Sequence, residues 1–407
     1  MEPKIRLKGF SGEWEYKKLS SLTSVRGGYA FQSSLFQKSG VPVVRISNIL
    51  SNGNVGGDFA YYPKLDGDSN VTLHDKDVVI AMSGATTGKI ARVDIGDGVL
   101  YQNQRVGLFT KTGKVDYDFL YAVLNRPHFN ELLNKLLTSS AQPNASSADI
   151  ESIEMGFPID SEEQKALSNY VLSLDSLIQS TTKKIESLKQ VKAASLQSMF
   201  PQEGETTPRV RFKGFEGEWE NKTLGECLTI NNERNQSNVY GINDVLSVSD
   251  EVGVVNQIKL LGRSYAGKSV ANYRVLKTNQ IVYTKSPLKS KPYGIVKVNK
   301  GAVGIVSVLY AVYDTSENVY PDYIHYYFEP THRINNYLLP LINKGAKNTM
   351  NISDEMALTG NIWIPSFDEQ KKIADYLQAL DSQIILQTQR LEKLKQIKSA
   401  CLDNMFV

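Results

Sequence analysis

Arg6-Leu-Lys-Gly-Phe-Ser-Gly-Glu-Trp14-Glu returns 205 residues later as Arg211-Phe-Lys-Gly-Phe-Glu-Gly-Glu-Trp219-Glu. A second string repeats at almost the same distance: Glu163–Phe200 recurs as Glu369–Phe406, shifted by 206, with 18 of 38 positions identical. Between these strings, roughly 20–155 and 225–360, almost no identity is readable. A fixed-period repeat sets the architecture before any local motif does. A duplication that keeps its ends while its middles diverge predicts one frame carrying two different readers.

The second string reads as a long helix. Its apolar positions run Leu167, Tyr170/Val171, Leu174, Leu177/Ile178, Thr181, Ile185, Leu188, Val191. The later copy runs Ile373, Tyr376/Leu377, Leu380, Ile384/Ile385, Thr388, Leu391, Leu394, Ile397. Steps of three and four sustained over several heptads predict a coiled-coil seam, here Leu174, Ile178, Ile185 and Leu188 against Leu380, Ile384, Leu391 and Leu394. Each helix supplies the apolar partner that the other needs, so antiparallel packing is expected. Acidic first turns (Glu162, Glu163; Asp368, Glu369) suit the positive end of a helix dipole. At about 1.5 Å per residue such a helix is a rod of roughly 55 Å, the length of about 16 base pairs. The divergent middles mix β-rich runs (41–47, 77–82, 98–109) with short helical pairs (118–124 with 129–137, 322–328 with 334–342). The expected class is α+β: two α/β domains at 1–157 and 211–364, separated by two long antiparallel helices at 158–200 and 365–407, with a Pro- and Gly-containing linker at 201–210 and a pseudo-two-fold internal repeat.

Composition bounds the function. Hydrophobic residues at 41% and charged residues at 22% describe an ordinary globular chain. No apolar run is long enough for a membrane helix, and the first residues lack the apolar core of a signal peptide, so a cytoplasmic chain is expected. Cys227 and Cys401 are too few for a disulfide framework or a zinc ribbon and read as plain thiols. His74, His128, His325 and His332 have no ligand spacing, so no metal site is expected. Net charge is only +3, yet Val252–Tyr313 contains no Asp or Glu while holding Lys259, Arg263, Lys268, Arg274, Lys277, Lys285, Lys289, Lys291, Lys297 and Lys300. That run predicts a surface facing a phosphate backbone.

No catalytic residue is expected. Gly84-Ala-Thr-Thr-Gly88-Lys89 is one residue short of a P-loop and has Ile90 where Ser or Thr would hold magnesium. It reads instead as a polar turn presenting Ser83, Thr86, Thr87 and Lys89 to phosphates or base edges. Ser286-Pro-Leu-Lys and Asn125-Arg-Pro-His lack the double proline of a methyltransferase tetrad. Glu15-Tyr-Lys17 and Glu220-Asn-Lys222 lack the further acids a nuclease needs. Gln102-Asn103-Gln104-Arg105 is either a self-satisfied polar loop or a base-reading one, since amides pair with adenine and Arg with guanine. In the second half Tyr283, Lys285, Ser286, Lys289, Lys291 and Tyr293, with a smaller group at Lys344, Lys347 and Asn348, form either solvated basic loops or phosphate contacts with some stacking.

The order domain, long helix, domain, long helix resembles the specificity (S) subunit of type I restriction–modification systems over essentially the whole chain. The matching strings are Gly-Phe-x-Gly-Glu-Trp at 9–14 and 214–219, the Glu-Gln pairs ending at Gln164 and Gln370, and Leu-Lys-Gln-x-Lys-x-x-x-Leu at 188–196 and 394–402. Arg45-Ile-Ser47-Asn48 and Ser83–Lys89 resemble recurrent strings of its target-recognition domains. The resemblance implies that each variable domain reads one half of a bipartite site in double-stranded DNA. It implies that the helices set the gap between halves and dock two modification (methyltransferase) subunits, with restriction/translocase subunits joining through the complex. It also implies that the chain is not itself an enzyme and holds no cofactor; S-adenosylmethionine, ATP and magnesium would serve adenine methylation and DNA cleavage in the partner subunits. With no acid-free stretch in the first domain, its basic face is expected from Lys89, Arg92, Arg105, Lys111 and Lys114. The competing readings are a coiled-coil scaffold without DNA readout and a stand-alone nuclease or methyltransferase with an unrecognised motif.

Overall fold

Arg6 and Glu163, one from each repeated string, form a two-pronged ion pair (Nε to Oε1 2.8 Å, Nη2 to Oε2 2.7 Å) in the computed structural model. Arg211 and Glu369 repeat it with two contacts of 2.7 Å. Both carboxylates are 1% exposed. The remaining guanidinium nitrogen bonds the glycine carbonyl of its own string, Gly12 or Gly217. The next residue completes the junction. Gln164 donates to Pro158 O and accepts from Asp116 N, and Gln370 donates to Pro365 O and accepts from Tyr320 N. The repeated strings are therefore a staple that fixes where each long helix starts, and this explains why both copies keep them.

The structure describes residues 2–137, 144–288, 291–344 and 350–407. It falls into two compact units, Met1–Lys183 with Gln389–Val407 and Lys184–Thr388, so the division cuts across both long helices.

In the first unit the chain runs β1 (Trp14–Lys18), α1 (Leu19–Leu22), β2 (Val25–Arg26), β3 (Val41–Val44), β4 (Ala60–Tyr62), β5 (Thr72–Leu73), β6 (Val78–Ala81), β7 (Ile90–Arg92), β8 (Leu100–Gln102), β9 (Val106–Phe109), α2 (Tyr117–Leu124), α3 (Pro127–Leu137), α4 (Ser147–Glu151), β10 (Glu154–Pro158) and the start of α5 (Ser161–Ser198). Two four-stranded sheets, β2-β9-β6-β7 and β4-β3-β8-β5, carry the variable part. Strand β6 is buried on both faces, which is why its sequence is continuously apolar rather than alternating. Val78 and Ile80 join the cluster around the helices, while Val79 and Ala81 point to a second cluster with Val44, Leu73 and Leu100. Strand β1 pairs antiparallel with β10, tying the first repeated string to the helix start.

The end of the second long helix, α10 (Phe367–Asn404), completes this unit. Leu402, Met405 and Phe406 share a core with Trp14, Phe119, Leu167 and Val171. Arg126 holds them by bonding Leu402 O (3.1 Å) and Val407 O (2.5 Å). Asp175 of α5 pairs with Lys398 of α10 at 2.5 Å, and Tyr170 lies beside Cys401, so the helices run antiparallel here as expected.

In the second unit the order is β11 (Glu220–Thr223), α6 (Leu224–Cys227), β12 (Leu228–Ile230), β13 (Leu246–Ser249), β14 (Gly253–Asn256), α7 (Gln257–Leu261), β15 (Arg274–Leu276), β16 (Ile281–Tyr283), β17 (Val296–Val298), β18 (Gly304–Val306), β19 (Ala311–Thr315), α8 (Pro321–Phe328), α9 (Thr331–Leu338), β20 (Asn343–Lys344), β21 (Met350–Asn351) and β22 (Asn361–Ile364). The sheet β12-β19-β16-β17 matches β2-β9-β6-β7 strand for strand, and β11 with β22 matches β1 with β10. Here it is the end of α5 that completes the core: Leu196, Met199 and Phe200 pack with Trp219, Tyr323 and Ile373. Arg333 bonds Leu196 O at 2.9 Å, as Arg126 does Leu402 O in the other unit. Lys192 bridges Glu329 and Asp381 at 2.6 Å each, and three residues on, Ser195 Oγ lies 3.4 Å from the hydroxyl of Tyr376, five residues back, so this helix pair is antiparallel too. Each half of the sequence thus sends the end of its helix into the core built on the other half's tryptophan.

His325 packs on the second unit's sheet, its Nδ1 3.2 Å from Val296 O. Desolvation, then the charge of Lys297, push its imidazole from 6.5 down to about 3. Between those values the unfolded chain binds a proton that the folded one refuses, so stability falls as pH drops below 6.5. The expected loss is about 2 kcal/mol at pH 5. Urea unfolding followed by pH checks this, and His325→Gln should flatten the dependence.

Candidate nucleic-acid interface

In the first unit several connections meet at one end of the two sheets. Asn103 N bonds Val44 O at 3.1 Å, which places the β8–β9 turn beside the start of the loop after β3. Met82 N bonds Arg105 O (2.9 Å), joining that turn to the β6–β7 connection. Tyr29 N bonds Gln102 O and Gln104 N bonds Tyr29 O, at 2.9 and 2.8 Å. Glycine is required at position 28 because a Cβ there would lie 2.1 Å from Asn103 O. Lys89 reaches Ser51 Oγ at 2.9 Å. Arg45, Ser47, Gln104, Arg105 and Tyr29 are exposed on these segments, with Asn103, Thr86, Thr87 and Lys89 half-buried. Tyr29 was not singled out from the sequence; its signal, an aromatic residue after a glycine pair, is too common to be read alone.

Three expected contact residues are interior. Gln102 is 0% exposed: it accepts from Arg26 Nε and Nη2 and donates to Arg26 O and Val106 O. It lies on the same face of β8 as Leu100, whose side chain enters the core, so its amide pairs with Arg26 instead of facing solvent. Asn48 is buried, accepting from Arg45 N and donating to Gly56 O and Asp58 O, and so shapes the loop. Ser83 is buried as well. The Gly84–Lys89 turn is no phosphate cradle, because the N–H groups of Thr87, Gly88 and Lys89 donate to Gly84 O, Ala81 O and Thr86 O. Of the cations expected here, Arg92 pairs with Asp118 at 2.8 Å and Lys111 with Asp77 at 2.9 Å.

In the second unit the acid-free run is largely neutralised by acids from outside it. Lys277 pairs with Glu233, Lys285 and Arg274 with Asp354, Lys291 and Lys297 with Asp250, and Lys300 with Asp322, all within 3.4 Å. Lys291 also donates to Glu329 O. Tyr283 is a core residue whose hydroxyl donates to Tyr293 O, and Tyr293 packs against the same core. Ser286 is half-buried. Lys289, Lys347 and Asn348 lie outside the described residues, as does the side chain of Lys344. The cations of that run that stay exposed, without an ion pair among the described residues, are Lys259, Arg263 and Lys268, in and after α7. There Arg263 stacks over the Tyr265 ring at 4.6 Å, and Tyr265 is exposed.

One turn recurs in both units. Asn103 Oδ1 accepts from Arg105 N (3.3 Å) and Asn103 O from Val106 N (2.9 Å). Ser307 Oγ accepts from Leu309 N (3.3 Å) and Ser307 O from Tyr310 N (3.0 Å). The first turn joins β8 to β9 and the second joins β18 to β19. Gln104 and Arg105 occupy the exposed corner in one unit, Val308 and Leu309 in the other.

Glu15 with Lys17 and Glu220 with Lys222 simply pair with each other on the stapling strands. Burial pushes the Cys227 thiol up to about 11, which makes it unreactive. Among the described residues no group of His, Cys, Asp or Glu is arranged to hold a metal ion, and no helix is long and apolar enough to cross a membrane.

The profile of the type I restriction modification DNA specificity domain matches residues 11–190 and 216–396. The chain is similar to the type I restriction enzyme MjaVIII specificity subunit of Methanocaldococcus jannaschii, 29% identical over 188 residues. That match spans 44% of this chain and 44% of the relative, less than half the length of either. In fold it is similar to the type I restriction–modification S subunit from M. genitalium, with a TM-score of 0.65 at 14% identity, covering 100% of this chain and 99% of the other.

Proposed function

Since the chain belongs to the type I restriction modification DNA specificity family, we propose that it is the non-catalytic DNA-reading subunit of such a system, each unit recognising one half of a bipartite duplex target. One observation carries the reading. One four-stranded sheet, the stapling strand pair and the helix ends recur in both units, while the turns at the strand ends carry different side chains. A conserved support with unlike tips fits two readers of two different short sequences. In the first unit Arg45, Gln104 and Arg105 are the base-facing candidates, with Tyr29, Ser47, Asn103 and Lys89 beside them. In the second, Lys259, Arg263 and Lys268 supply phosphate contacts.

Two readers are needed on energetic grounds. A mismatch costs about 1–3 kcal/mol, so a half-site of three or four base pairs discriminates by roughly 3–12 kcal/mol and recurs too often to be specific alone. The two long helices act as the spacer. Their exposed apolar residues, Tyr170 and Leu177 on α5 and Ile385 and Leu386 on α10, fit docking of modification subunits. Adenine methylation and ATP-driven cleavage, with S-adenosylmethionine, ATP and magnesium, are assigned to those partners.

The test is a methylome. The chain is co-expressed with its modification subunit and methylated adenines are mapped. A split motif, two specified halves around a fixed gap, is the expected result; no new methylation from a soluble complex would overturn the proposal. Within that assay Arg105→Ala should relax one base position in one half-site, about 1–3 kcal/mol of lost discrimination. A uniform loss across all sequences would make Arg105 a phosphate contact instead.

A further inference from the structure

The shared turn is loaded with opposite chemistry in the two units. Its two corner positions carry hydrogen-bonding side chains in the first unit and aliphatic ones in the second, where Val308 is 43% and Leu309 64% exposed. Among the described residues neither packs into a core cluster. Folding therefore does not require them to be apolar, and the hydroxyl that shapes the turn belongs to Ser307. Two side chains on a four-residue reversal are far less than the roughly 800 Å² per partner that a stable protein interface buries. They are narrow enough to enter a major groove about 12 Å wide. In that groove Gln and Arg address the hydrogen-bonding edges of purines, whereas the apolar group a base offers is the C5-methyl of thymine.

We infer that the Ser307–Tyr310 turn reads thymine: Leu309, the more exposed of the pair, packs against the C5-methyl group of a T·A pair in the half-site of the second unit, with Val308 beside it, at the place where the first unit applies Gln104 and Arg105. The inference rests on the DNA-reading function proposed above and goes further, since it assigns a base to a turn.

The full chain, purified with its modification subunit, is used to select a target from a randomised duplex library. The selected duplex is then remade with deoxyuridine in place of thymine, one half at a time. Uracil pairs as thymine does and lacks only the methyl. In one half the exchange should weaken binding about four-fold, the effect of one buried methyl-sized group. Leu309→Ala should bind thymine and uracil duplexes equally. Val308→Gln with Leu309→Arg should move the preferred base at that position towards a purine and leave the other half unchanged. The inference is overturned if uracil is tolerated in both halves, if Leu309→Ala keeps the preference for thymine, or if that preference lies in the half altered by Arg105→Ala. It is also overturned if Leu309→Ala loses the modification subunit while still telling thymine from uracil, which would assign the turn to a protein partner. A wild-type library that yields no split motif overturns the proposed function itself; a split motif without a uracil effect overturns the thymine assignment alone.

Discussion

Arg211→Ala should destabilise the second unit by about 3–5 kcal/mol, the cost of leaving one member of a buried ion pair alone. Glu369 is 1% exposed and loses both of its 2.7 Å contacts when the guanidinium goes. Its place in the first turn of α10 offsets about 0.3–1 kcal/mol through the helix dipole, too little to compensate. The effect should be confined to one unit, because the first unit has its own staple in Arg6 and Glu163. Urea unfolding separates the two: Trp219 and Trp363 report on the second unit and Trp14 on the first. Only the former transition should move. Arg211→Leu combined with Glu369→Leu should recover most of the loss, since the desolvation cost disappears along with the pair. A single-variant loss below about 1 kcal/mol would reduce the staple to a surface salt bridge.

That ion pair also marks where the sequence was readable. Arg6, Glu163, Arg211 and Glu369 all lie in strings that repeat, so their importance was visible without knowing that they touch. The antiparallel helices were legible for the same reason, through apolar steps of three and four. What repetition could not reveal is which copy pairs with which. Met199-Phe200 and Met405-Phe406 are equivalent in sequence, and either could have capped its own half. The structure puts Phe406 on Trp14 and Phe200 on Trp219.

The candidate interface was less legible, because charge in a sequence window says nothing about acids that fold back from elsewhere. Asp250 and Asp354 lie outside the acid-free run, yet they take up Lys291, Lys297, Lys285 and Arg274. Gln102 shows the same limit for amides. Its neighbours Gln104 and Arg105 are exposed, but its position on β8 turns it inward to Arg26. Strand alternation decides this, and a strand of three residues is too short to display its period.

Removing one turn from both long helices, Thr182–Ile185 and Thr388–Leu391, should change the gap of the recognised sequence and neither half-site. These segments are equivalent under the 206-residue repeat. In the structure the seam passes through Thr181 and its counterpart Gln387, with Thr388 exposed, so after the deletions Leu188 and Leu394 each stand three positions beyond them and the three-and-four spacing persists. Equal deletions also leave untouched the pairings of Asp175 with Lys398 and of Lys192 with Asp381. Four residues at 1.5 Å shorten each helix by about 6 Å, close to two base pairs at 3.4 Å. A methylome of cells carrying the shortened chain should show the same letters on both sides of a gap about two base pairs shorter. Altered letters with the old gap would mean that the helices do not set the spacing and that the deletion disturbed the readers. An unchanged motif would place the spacing in the partner subunits. The expected result would show that specificity here has two separable parts: side chains on short turns choose the bases, and backbone length in the helices sets how far apart they must lie.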